Sequence, residues 1–120
     1  MRNMRILVCG SRTWESRLAI RKAFSEIAAK HVVLIHGACR GADKLAAAEA
    51  RFVFGWDVVP YVAEWRRLGK AAGPERNARM LRTRPDLVIA FRAEGKSDGT
   101  DDMICRAEKA GIPVRVVRAA

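Results

Sequence analysis

The stretch His36-Gly37-Ala38-Cys39-Arg40-Gly41-Ala42-Asp43 gathers side chains that can do chemistry at a point where a fold can use them. The apolar run Val32-Val33-Leu34-Ile35 precedes it, and a helical pattern ending at Gly55 follows. A buried strand is therefore predicted to enter a glycine-containing turn that opens a helix. Free backbone N–H groups and the helix dipole favour an anion at such a helix start. Gly37 and Gly41 let the chain bend and a ligand come close. Arg40 adds a cation. Asp43 can accept from a sugar hydroxyl or from N–H groups of its own loop. The same residues also fit a plain helix cap after a tight turn, with Asp43 as a first-turn acid.

Four further stretches carry candidates. Gly10-Ser11-Arg12 follows the first apolar run where a dinucleotide-binding G-x-G-x-x-G would stand. Its absence argues against an ordinary NAD-dependent dehydrogenase, although Ser11 and the Arg12 fork can still hold a phosphate. Ala90-Phe91-Arg92-Ala93-Glu94-Gly95-Lys96-Ser97 comes close to a phosphate-binding P-loop. Its first glycine is replaced by Ala90, inside a predicted strand, and no acidic partner strand for magnesium is evident. Asp98-Gly99-Thr100-Asp101-Asp102 opens the last predicted helix, where Gly99 and Thr100 suit a phosphate while the acids suit the dipole alone. Gly73-Pro74-Glu75-Arg76-Asn77 sets Arg76 and Asn77 in a first helical turn. Between Arg66 and Arg84 stand Arg66, Arg67, Lys70, Arg76, Arg79, Arg82 and Arg84 against Glu75 alone, with Trp65 beside them as a platform for stacking a base or as a rim residue. No Ser/His/Asp triad can be assigned, and His36 is a weak acid–base candidate.

Strands are predicted at 5–9, 31–35, 56–62, 87–91 and 113–117. Helices are predicted from Glu15 to Ala29 (through Ile20, Phe24, Ile27 and Ala28), from Ala42 to Phe54 (with Leu45, Ala48 and Phe52 on one face), from Pro74 to Leu81, and from about Gly99 to Gly111. Residues 69–73 are predicted as a loop. Strands alternating with helices imply an α/β, Rossmann-like three-layer sandwich with a parallel five-stranded sheet of order 3-2-1-4-5. Ligands then bind at the strand C-termini beside the switch point between the first and fourth strands.

The 120 residues predict one domain, 1–120, with room for one proper core. A formal charge of +10 favours nucleotides, nucleic acid or acidic surfaces as partners. Cys9, Cys39 and Cys105 form no C-x-x-C, and with His31 and His36 they predict no structural zinc site. An odd number of thiols fits a reducing compartment. The apolar run Ile6-Leu7-Val8-Cys9 is too short for a signal peptide or a membrane span. A cytoplasmic protein with no membrane partner, no resident cofactor and no metal is expected. Self-association is left open.

The order Gly10-Ser11-Arg12, His36-Gly37-x-x-x-Gly41-x-Asp43, Trp65, Gly69-Lys70-x-Ala72-Gly73-Pro74-x-Arg76-Asn77-x-x-Met80, Phe91 and Gly99-Thr100 resembles the YspA/YpsA-related branch of the SLOG superfamily. That resemblance covers nearly the whole chain. It implies a Rossmann-like domain that binds a nucleotide or a nucleotide-derived signal, as a sensor or processing protein. Two other functions stay open: LOG-like phosphoribohydrolase activity, and single-stranded nucleic-acid binding as in the DNA-processing relatives. LOG enzymes carry P-G-G-x-G-T-x-x-E. Aligned on Gly99-Thr100, this chain has Lys96-Ser97 for the two glycines and Met103 for the catalytic Glu, so the resemblance implies binding more than catalysis. The expected nucleotide-binding set is Gly10, Ser11, Arg12, His36, Gly37, Arg40, Gly41, Asp43, Lys70, Gly73, Arg76, Asn77, Ser97, Gly99 and Thr100.

Overall fold

In the computed structural model, which describes residues 3–119, a strand formed by Asn3–Gly10 (β1) lies at the centre of the sheet. Its run Ile6 to Cys9 is buried on both faces, which is why it is continuously apolar. The other strands are β2 (His31–His36), β3 (Asp57–Pro60), β4 (Leu87–Arg92) and β5 (Val114–Arg118). All pairings are parallel and the order is β3-β2-β1-β4-β5, with β1 hydrogen-bonded to both β2 and β4. The fold is thus the α/β, Rossmann-like arrangement expected from the sequence.

Five helices join the strands: α1 (Arg17–Ser25), α2 (Ala42–Phe52), α3 (Trp65–Leu68), α4 (Ala72–Arg82) and α5 (Asp98–Lys109). Successive side chains of β1 point to opposite faces. Ile6 and Val8 pack with Ile20 and Phe24 of α1 and the alanines of α2. Leu7 and Cys9 pack with Met80 of α4 and with Met103 and Ala107 of α5. These two clusters are the cores on either side of the sheet.

Several boundaries differ from expectation. α1 begins behind Ser16, whose hydroxyl accepts the Ala19 N–H, and it ends at Ser25, short of Ala29. The strand expected over 56–62 is shortened to Asp57–Pro60, because Trp56 leaves the ladder to pack on Phe24 and Phe54. The stretch 69–73 is not a loop: a 3-10 turn at Gly69–Ala71 runs straight into α4, so Pro74 falls in the first turn, where its missing N–H costs nothing. α5 starts at Asp98, ahead of Gly99.

The apolar face expected for α2 is also corrected. Phe52 is 80% exposed, and the buried stripe is Ala42, Ala46, Glu49 and Ala50. Small side chains are required there because the helix lies close on the sheet: a Cβ on Gly10 would meet that of Ala42 at 2.4 Å. Buried Glu49 is held by Arg21 of α1 through two hydrogen bonds of 3.0 and 3.3 Å. Among the described residues, no helix is long and apolar enough to cross a membrane.

Candidate functional site

A cavity of about 640 Å³ opens at the C-terminal ends of β1, β2 and β4. That size falls within the roughly 300–1,000 Å³ of small-ligand pockets. Four stretches line it. The end of β1 and its loop supply Cys9, Gly10, Ser11, Arg12 and Thr13, and the loop after β2 supplies Gly37, Cys39 and Asp43. The α3–α4 stretch supplies Trp65, Lys70, Gly73, Pro74, Arg76, Asn77 and Met80, and the start of α5 supplies Lys96 to Gly99, Thr100 and Asp102.

The loop after β2 is built by its own residues. Gly41, at φ +79°, turns the chain against the Arg12 carbonyl, 2.4 Å from where a Cβ would sit. The first N–H of α2, on Ala42, donates to the Ser11 carbonyl at 3.2 Å and ties two loops together. Asp43 folds back so that Oδ2 accepts the N–H groups of Gly37 at 3.0 Å and Cys39 at 3.3 Å. Asp43 therefore braces the loop. Burial pushes its carboxyl up to about 6, partly countered by the two N–H donors and by the positive charges of Arg76 and Arg12.

Arg76 is 6% exposed and reaches the same loop from α4. Its Nη1 donates to the Gly37 carbonyl at 2.8 Å, and its Nε donates to Asn77 Oδ1 at 3.2 Å. A Cβ on Gly37 would stand 2.8 Å from that Nη1, so glycine is required for this approach. Asn77 Nδ2 in turn donates to the Gly99 carbonyl at 3.1 Å and to Asp102 Oδ2 at 2.9 Å, joining α4 to the start of α5. Asp102 also receives Arg106 Nε at 2.8 Å.

Hydroxyls cluster between β1 and α5. Ser11 Oγ accepts the Ala93 N–H at 2.9 Å and donates to Ser97 Oγ at 3.3 Å, and Ser97 Oγ donates to Thr100 Oγ1 at 2.8 Å. Ser97 precedes α5 without capping it by a side-chain bond, so the first N–H groups of the helix stay open toward the cavity. Trp65 is 49% exposed at the mouth and lies over Gly73, where an added Cβ would touch its ring at 3.4 Å. The Cys9 thiol lines the innermost wall, and burial, reinforced by the Asp43 charge, pushes its pKa far up. It is a packing residue rather than a thiolate.

The parallel order, the switch-point cavity and the glycines at its turns are those expected of the family suggested by the motifs. The sequence model of the YspA, cpYpsA-related SLOG family (YAcAr) matches residues 4–68. The chain belongs to this family. Gene 61 protein of Mycobacterium phage D29 is 38% identical to this SLOG chain over 117 residues, which covers 92% of this chain and 93% of the relative. Membership links the chain to nucleotide-related binding or processing at a coarse level.

Of the residues expected at the SLOG site, Gly10, Ser11, Arg12, Gly37, Asp43, Lys70, Gly73, Arg76, Asn77, Ser97, Gly99 and Thr100 line the one cavity. Three do not. Gly41 shapes the turn from behind, and Arg40 is exposed outside the cavity. His36 is buried on the α2 side, where its Nδ1 accepts the Ala38 N–H at 3.0 Å. Burial first, then Arg51 and Lys44, lower its pKa to about 4 and keep the ring neutral. Thr13, Cys39 and Lys96, from the loops expected to border the crevice, also line the cavity, whereas Pro74 and Asp102 are additions that the sequence reading missed. For Asp102 the signal was present: it stands one helical turn after Gly99, on the same face. Met103 lies fully buried in the core beneath α5, away from the cavity.

Proposed function

We propose that this SLOG domain binds a phosphate-bearing nucleotide or nucleotide-derived small molecule in the strand-end cavity, and that it acts by binding rather than by hydrolysing the ligand. The observation that carries this reading is the distribution of committed and uncommitted charge. Among the cavity acids, Asp102 is engaged by Asn77 and Arg106, and Asp98 faces Lys96 at 3.6 Å. Arg12 and Lys70 line the same cavity and form no ion pair with a described residue. With the open start of α5 and the Ser97–Thr100 hydroxyls, they favour a phosphate. The Trp65 indole at the mouth favours an aromatic base.

The test is a thermal-shift titration with AMP, ADP-ribose, NAD and inorganic phosphate, on the native chain and on an Arg12→Ala, Lys70→Ala double variant. A ligand that binds only the folded state raises Tm in proportion to its occupancy. A nucleotide-dependent rise that the double variant loses is the expected result. No rise with any of these compounds at millimolar concentration overturns the reading. Release of free base from AMP is assayed in the same samples, and none is expected, because Met103 presents no carboxylate to the cavity.

A further inference from the structure

Two polar atoms of the cavity lining have no partner among the described residues. Asp43 and Arg76, 5% and 6% exposed, grip one loop from two sides, meeting at Gly37. The carboxylate spends Oδ2 on the N–H groups of Gly37 and Cys39. The guanidinium spends Nε on Asn77, and Nη1 on the Gly37 carbonyl and the Cys39 sulfur. Oδ1 of Asp43 therefore has no donor, and Nη2 of Arg76 no acceptor, among the described residues. Yet no fully enclosed side-chain nitrogen or oxygen among those residues lacks a partner. Both atoms must reach open space, and both residues line the cavity.

An acceptor and a donor thus stand together on two nearly buried side chains of the cavity lining, where leaving either unmatched is costly. We propose that this pair reads the vicinal hydroxyls of a ribose, so that the ligand is a ribonucleotide or a ribonucleotide derivative and not a deoxyribonucleotide. The inference rests on the nucleotide reading above. A phosphate does not fit here, since the Asp43 carboxylate would repel it. Adjacent hydroxyls do fit: one donates to Oδ1 while its neighbour accepts from Nη2, and each can do both.

The experiment is calorimetric titration with matched pairs: AMP against 2′-deoxy-AMP, CMP against 2′-deoxy-CMP, and ribose 5-phosphate against 2-deoxyribose 5-phosphate. It is run on the native chain and on Asp43→Asn. The asparagine keeps a carbonyl oxygen for the Gly37 and Cys39 N–H groups but turns an amide donor toward the ligand. In the native chain the ribo member of each pair is expected to bind about tenfold or more tightly, because a site built to bond a hydroxyl rejects the analogue lacking it. In Asp43→Asn the preference is expected to fall, because the hydroxyls then meet two donors and no acceptor at this point. Equal affinity within the pairs on the native chain overturns the ribose inference alone, as does a preference that survives the substitution undiminished. Binding of neither member overturns the nucleotide reading and this inference together. Should Asp43→Asn fail to fold, the comparison on the native chain decides by itself.

Discussion

His36 and Asp43 respond to acid in opposite senses. The Asp43 carboxyl is raised from 3.8 to about 6, chiefly by burial, so the folded chain holds that proton more tightly than the unfolded one. Its contribution to stability is full below the unfolded value and is lost as pH rises toward 6. His36 is lowered from 6.5 to about 4, again chiefly by burial, so the unfolded chain takes its proton first. Stability from His36 is intact above 6.5 and is lost as pH falls toward 4. Each effect is on the order of 3 kcal/mol across its window, and between about pH 4 and 6 they largely cancel. Urea unfolding should therefore show Asp43→Asn losing stability on acidification more steeply than the native chain, and His36→Gln less steeply. Parallel pH profiles for all three would refute this pairing. Asp43 and Gly37 were legible in the sequence because a strand–glycine–helix junction announces a crevice. The misplacement of His36 is a matter of strand alternation: Leu34 and His36 face α2, while Ile35 and Gly37 face α4. The sequence carried that signal in its period of two.

At the scale of elements, α5 divides its residues between two duties. Met103 and Ala107 are buried in the core, while Gly99, Thr100 and Asp102 line the cavity. Met103→Glu therefore does not supply a catalytic carboxylate. It forces a charge into a core that includes Leu7, Met80 and Val88. We expect a loss of several kcal/mol in urea unfolding at neutral pH and no release of base from AMP. Stability close to that of the native chain, or any turnover, would contradict this placement. Apolar runs and glycine or proline breaks were enough to read the strand–helix alternation and the sheet order. The face of α2 was not readable that way, since reasoning from bulky side chains selects Phe52 whereas close approach to the sheet selects alanines. Residues 69–73 read as a loop because glycines bound them at both ends, yet Gly69 at φ +57° turns only between two stretches of otherwise nearly continuous helix.

For the whole molecule, the charge of +10 raises the question of polynucleotides. Beyond the cavity, Arg5, Arg82 and Arg84 rim a second, shallower depression beside Tyr61 and Val59. These cations sit on the surface and offer counterion release without base readout. Short single-stranded oligonucleotides are expected to bind weakly at low ionic strength and to be released by about 0.2 M salt. Tight binding that persists there, with the steep slope of many phosphate contacts, would shift the function toward nucleic acid. Sheet order carries one more consequence. Ile6 of β1 pairs with Leu87 of β4, so the central strand waits for a neighbour about eighty residues downstream. At about 5–20 residues per second of synthesis, that wait lasts several seconds. α5, which closes the cavity, is made later still. A nascent chain can therefore assemble β1, β2 and both helices of one face while the cavity wall that α5 supplies is still unmade, so the cavity is completed only with the last helix.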